Sequence, residues 1–172
     1  MTSTHTSWSI KRATPEEAAQ ALAILREAAQ WLVDTGRPLW PVESFHLDAV
    51  RDAALAGELV LGFAGAQAVA SMRLQTRDDV YWPADPPGEA LYLHKVAVRR
   101  CAAGRQWPTR LIAWAREQAR AAGARYLRLD TADRDALLSL YQRHGFYLVD
   151  ERPRSVDGLM IHRLELPIGT RA

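Results

Sequence analysis

Residues 91–111, LYLHKVAVRRCAAGRQWPTRL, constrain the fold more than any other stretch of this chain. They read as the end of an apolar strand, Ala90–Val98, then a basic loop holding one glycine, then the start of a helix, Pro108–Ala122, that Gly123 ends. A second strand, Tyr126–Thr131, follows. Strand, helix and strand in that order form a crossover, so the two strands should be parallel neighbours with a right-handed connection. The loop gathers backbone N–H groups, the positive end of the helix dipole and the guanidinium groups of Arg99, Arg100 and Arg105 around one point. Such a point suits a phosphate-bearing ligand.

The flanking segments make the rest of a mixed α/β domain. Trp8–Arg12 reads as a first strand. Thr14-Pro15-Glu16-Glu17 is a helix start, with an N-cap hydroxyl, a proline in the first turn and a glutamate three residues after the cap. The helix should run to Thr35, stop at Gly36 and bury Ala18, Leu22, Leu25, Ala29 and Leu32. A loop with Pro38, Trp40 and Pro41 leads to a short helix over residues 45–56. Two strands, 59–63 and 68–75, then flank a turn at Gly65, and an Asp- and Pro-rich loop spans residues 76–88. After the crossover come a helix over 133–144, stopped by Gly145, and strands over 146–151 and 159–166. In the crossover helix Leu111, Ala115, Gln118 and Ala122 should share the buried side. Residues 1–7 are polar and expected to be loose. No linker composition interrupts the chain, so residues 1–172 are read as one domain.

Bulk numbers exclude several classes. A formal net charge of +2 over 172 residues is too small for a nucleic-acid binder. There is no long apolar run and no leader pattern, so no membrane partner is expected and the cytoplasm is the default compartment. The single cysteine, Cys101, allows no intrachain disulfide. It lies in a basic loop but lacks a Cys/His/Asp arrangement, so a nucleophilic role is not assigned to it.

Three pieces together resemble the GNAT superfamily of acyl-CoA-dependent N-acetyltransferases, from Ser9 to about Leu166: LHKVAVRR, AGRQWPTRLIAWA and LRLDTADRDALLSLYQRHGF. The resemblance implies a mixed, mostly antiparallel sheet with a central, splayed parallel strand pair, flanked by about four helices. It implies acetyl-CoA as cosubstrate, no metal, an amine acceptor on a small molecule, and compatibility with a homodimer. Backbone around Val96, Ala97 and Val98 would pair with the pantetheine arm. The loop Ala103, Gly104, Arg105, Gln106, Trp107, Pro108 and Thr109 would hold the pyrophosphate, and Arg134 would meet a CoA phosphate or cap the following helix. The loop departs from the family pattern: Ala103 replaces the usual Arg or Gln, Gln106 the first Gly and Pro108 the second Gly or Ala. Two other readings therefore stand beside the small-molecule N-acetyltransferase. One is an acyl-CoA-binding protein without turnover; the other is an acetyltransferase acting on a protein or peptide amine.

The chemistry needs a proton acceptor for the amine and a proton donor for the leaving thiolate. Tyr141 matches the family's tyrosine ahead of Gly-Phe and is the candidate acid; a packed aromatic on the face of Leu137 and His144 is the alternative. His94 is the candidate base, directly or through water, with a core histidine as its alternative. Alternation should put Tyr92, His94 and Val96 on one face of the strand. Asp130, at the end of the next strand, would hold a cationic substrate or cap a helix. Trp31, Trp40, Tyr81, Trp82 and Tyr92 are the candidate lining of an aromatic acceptor pocket, with scattered core aromatics as the alternative.

Overall fold

A computed structural model describes residues 7–169. The expected looseness of residues 1–7 therefore falls, except for Ser7, outside the described residues. The chain divides into two compact units: one holds the segments up to Arg73 and from Lys95 to Leu111, the other Leu74–His94 and everything from Ile112 on.

In the first unit β1 (Trp8–Arg12) pairs antiparallel with β2 (Leu59–Ala64), and β2 pairs antiparallel with β3 (Gln67–Gln75). The capping box at Thr14 forms: Glu17 accepts the Thr14 N–H at 2.9 Å. It opens a 3-10 turn over Pro15–Glu17, which feeds α1 (Ala18–Asp34). Alanines at positions 18, 21, 28 and 29, with Ile24 and Leu25, make the buried stripe of α1. Leu32, expected in that stripe, is half-exposed because it lies one turn past the region covered by the core. These residues meet Val50, Ala53 and Ala54 of α2 (Leu47–Leu55), and Leu59, Leu61 and Phe63 of β2, in one apolar cluster.

Gly62 of β2 is required by Trp107. A Cβ built at Gly62 would stand 2.5 Å from Cζ3 of the fully buried Trp107 ring. Gly62→Ala is expected to cost about 1–3 kcal/mol, because the indole must leave a filled site. Urea denaturation checks this, and an unchanged midpoint would show that the ring moves freely.

In the second unit the first half of β4 (Ala90–Val98) runs parallel to β5 (Tyr126–Ala132), as the crossover implied. β5 pairs antiparallel with β8 (Leu159–Pro167), and β8 also pairs with β6 (Tyr147–Leu148) and β7 (Arg154–Val156). The strand expected over 146–151 is only the two residues of β6. β7 forms instead through a tight hairpin at Asp157-Gly158, both at positive φ. α4 (Asp135–Arg143) lies between β5 and β6 in sequence. Among the described residues the fold is mixed α/β, mostly antiparallel with one parallel pair and four α-helices, as expected.

The crossover helix α3 (Trp107–Ala121) starts one residue earlier than expected. Its buried positions are Trp107, Leu111, Ile112, Ala115 and Ala119. Gln118 is half-exposed and Ala122 exposed, so the expected stripe was out of phase after the first turn. Among the described residues no helix is long and apolar enough to cross a membrane.

Candidate active site

The β4–β5 ladder ends at Leu93 opposite Leu129, although β4 runs on to Val98 and β5 to Ala132. The next residue on each strand is His94 and Asp130. Where the ladder stops, their side chains meet, with His94 Nδ1 3.0 Å from Asp130 Oδ1. On the other side of the ring, Nε2 stands 3.4 Å from Oδ2 of Asp78. Asp78 is fixed by an Asx turn: its Oδ1 accepts the N–H groups of Val80 at 3.0 Å and Tyr81 at 2.9 Å. These ring contacts reach ion-pair distance but are not aligned as hydrogen bonds. Asp78 Oδ2, His94 Nε2 and Asp130 Oδ1 are all buried atoms without a hydrogen-bond partner. An imidazole that takes up a proton here is attracted by two carboxylates at once.

Two phenols belong to the same unit. Tyr141 of α4 is buried, and its ring packs edge-on against Phe146 with centroids 5.8 Å apart. Burial, and then the charge of Asp130, pushes its pKa far above that of an ordinary phenol. Tyr81 is pushed up to about 12 by burial and then by Asp130, Asp78 and Asp157. Both stay protonated at neutral pH and are proton donors. Asp78 is the site residue that the sequence reading did not single out. Its one local signal is the Asp-Asp-Val-Tyr turn, with carboxylate oxygens two and three residues ahead of the N–H groups they cap.

Trp82 and Tyr92, expected to line an acceptor pocket, belong to a buried polar cluster and line one cavity together with Asp85. The Trp82 ring lies between two guanidinium groups, Arg128 at 4.5 Å and Arg163 at 4.6 Å from its centroid. Arg128 pairs with Asp85 and with Glu165, the latter at 2.9 Å. Arg163 takes both oxygens of Asp150 at 2.7 Å. The Tyr92 hydroxyl donates to Asp85. Two arginines inside the fold need this many acceptors, so both aromatics serve packing and charge burial.

The phosphate-loop candidates lie in the first unit. Lys95 sits at φ 52°, a left-handed backbone that breaks the pleat of β4. The simple alternation expected to align Val96 with Tyr92 and His94 therefore fails at this residue. Val96 and Val98 are half-buried and Ala97 is buried. The Arg99 N–H donates to the Val69 carbonyl of β3 at 2.8 Å. A 3-10 turn over Arg100–Ala102 carries the exposed Cys101. Ala103, Gly104 and Arg105 are exposed, and Gly104 and Gln106 both hold positive φ, 75° and 58°. Gln106, where the resemblance expects a glycine, thus adopts a left-handed conformation that glycine takes freely, and bears the strain of doing so with a side chain. Trp107, Pro108 and Thr109 are the first three helical residues of α3, so Pro108 is second rather than first. First-turn N–H groups have no intrahelical acceptor, and Pro108 brings none.

The arginines are not equally available. Arg99 pairs with Glu27 at 3.4 Å, and the same carboxylate accepts the Arg100 N–H at 2.8 Å. Trp31 carries the guanidinium groups of Arg100, at 4.0 Å, and Arg37, at 4.9 Å, and so ties this loop to α1. Trp40 packs edge-on against Phe45 under the Lys95 ammonium. Arg134 stands at the N-cap position of α4, where its carbonyl accepts the N–H groups of Leu137 and Leu138.

A sequence model of the acetyltransferase (GNAT) family matches residues 25–146. The uncharacterized N-acetyltransferase YesJ of Bacillus subtilis is 28% identical over 138 residues, 76% of this chain and 77% of that protein. A GNAT-family acetyltransferase of Listeria monocytogenes has the same fold, with a TM-score of 0.75 at 20% identity over 96% of this chain and 99% of its own. So does yncA of Salmonella typhimurium, solved with its cofactor acetyl-CoA, with a TM-score of 0.73 at 15% identity over 96% of each chain.

Proposed function

Since the chain belongs to the acetyltransferase (GNAT) family, we propose that it moves an acetyl group from acetyl-CoA to the amine of a small molecule, with His94 as base and Tyr141 as acid. The observation that carries this reading is the cluster just past the last β4–β5 rung. There a histidine lies between two carboxylates, in the same unit as a buried phenol whose pKa Asp130 raises.

The residues fit the cosubstrate. The left-handed turns at Gly104 and Gln106 lead into the N-terminus of α3, where the positive end of the helix dipole favours a diphosphate. Arg105, exposed at the same loop, adds a charge that no Glu27 neutralises. When bound, acetyl-CoA supplies the activated acyl carbon and a thiolate leaving group.

This chain's own residues then handle two protons. An alkyl ammonium with a pKa of roughly 10 must lose one before its nitrogen can attack. His94 takes it, directly or through water, and Asp78 and Asp130 hold the ring in place for the transfer. Tyr141 keeps its proton at Oη until the carbon–sulfur bond breaks, and gives it to the departing sulfur. Asp130 stands 3.0 Å from the imidazole, and its charge adds to burial in raising the pKa of the Tyr141 phenol.

His94→Ala is expected to lower kcat by about 100-fold and to remove the acidic limb of the rate–pH profile, read as CoA release over a panel of amines. A retained limb would transfer the base role to another group. A protein that only binds acyl-CoA would show saturable binding and no CoA release with any amine, wild type included.

A further inference from the structure

The geometry points to a second ligand site, a small, mostly apolar cavity under α2 that takes a single aromatic ring bearing one hydroxyl group. It lies wholly in the first unit and does not depend on acetyl transfer. The cavity measures about 130 Å³. A cavity of about 150 Å³ holds a benzene-sized molecule. Leu25 of α1, Val50 and Ala53 of α2, and Leu59 of β2 form its buried floor, and Arg73 and Lys95 bring two cationic side chains to its wall.

One polar atom in this wall is buried without a partner. Register pairs Leu61 with Ser71 and Leu59 with Arg73, which puts the Ser71 side chain on the sheet face shared with the α1–α2 cluster. Ser71 is fully buried and lines the cavity, yet its Oγ has no hydrogen-bond partner. A buried hydroxyl left unsatisfied is a standing penalty, and native folds seldom keep one without a use. Its neighbour Arg73 cannot serve it, since that guanidinium is held on Glu58 at 2.6 and 2.8 Å. A ring of benzene size fills the volume, and one hydroxyl on it satisfies Ser71. A hydrocarbon of the same size fills the volume alone.

The test titrates the full-length protein with phenol and with toluene, following amide shifts by NMR. Phenol is expected to saturate, to shift amides of α1, α2 and β3, and to bind about tenfold tighter than toluene, the worth of one hydrogen bond. Ser71→Ala should bring the two affinities together by weakening phenol alone. Ala53→Leu, which fills the cavity, should abolish both. Absence of saturable shifts with either probe would overturn the proposal, as would equal affinities in the wild type or a phenol preference that survives Ser71→Ala. Should Ala53→Leu fail to fold, the Ser71→Ala comparison decides by itself, since it removes one oxygen and adds no volume.

Discussion

Tyr141→Phe is expected to lower kcat by about 10²-fold or more, with acetyl-CoA affinity nearly unchanged. The substitution removes one oxygen. The ring keeps its edge-on packing against Phe146, and the backbone carbonyl of residue 141 still caps the end of α4 by accepting the His144 and Phe146 N–H groups. The fold should therefore survive, and a thermal melt run beside the kinetics should show an unshifted or higher Tm. What is lost is a phenol kept protonated by burial and by Asp130. Without it the thiolate leaves unprotonated, and the penalty falls on kcat and on kcat/KM together. Equal kcat for the variant and the wild type would remove Tyr141 from the acid role. A loss of acetyl-CoA affinity without a loss of kcat would make it a binding residue.

Arg128→Met should be the most damaging single change to stability. Arg128 is buried with Asp85 and Glu165, and Glu165 also accepts the Tyr147 hydroxyl. Methionine fills much of the same volume but leaves two carboxylates in the interior with no cation between them. Removing one partner of a buried ion pair costs about 3–5 kcal/mol, which for a chain of this size lowers Tm by roughly 6–20 °C. Arg128→Lys should rescue little, since an ammonium cannot present the planar fork that reaches both acceptors while stacking on Trp82. Adding Glu165→Gln to Arg128→Met should recover part of the loss, because one orphaned charge disappears. A loss below about 1 kcal/mol, the value for an exposed pair, would show that water reaches this cluster.

The parts of the fold written in local signals were legible in the sequence. The Thr14 capping box, the glycines that end α1, α3 and α4, and the strand–helix–strand order around residues 90–132 each depend on neighbours a few positions away. β7 was not legible, because its three residues become a strand only through pairing with β8. The Asp157-Gly158 dipeptide was the overlooked sign of that hairpin. The break at Lys95 was hidden as well: a lysine gives no hint of a left-handed backbone.

The candidate site was legible in part for a similar reason. His94 and Asp130 could be read as consecutive strand-end positions, but their contact follows from where the β4–β5 ladder stops. Asp78 joined them through a loop whose burial is tertiary. The partners of Trp31, Trp82 and Tyr92 were not legible either, because composition shows rings without showing what they touch. Arginines distant in sequence, Arg100, Arg128 and Arg163, occupy the indoles, and Asp85 takes the tyrosine hydroxyl.

In the proposed acetyl transfer the loop ahead of α3, altered as it is at Ala103, Gln106 and Pro108, holds the diphosphate of acetyl-CoA. Titration calorimetry of the wild-type protein with acetyl-CoA and with S-acetylpantetheine, which lacks the diphosphate, isolates that contribution. Acetyl-CoA is expected to bind at least about tenfold tighter, with an affinity that falls as salt rises. Equal affinity for the two compounds, or no heat with acetyl-CoA, would contradict this role of the loop.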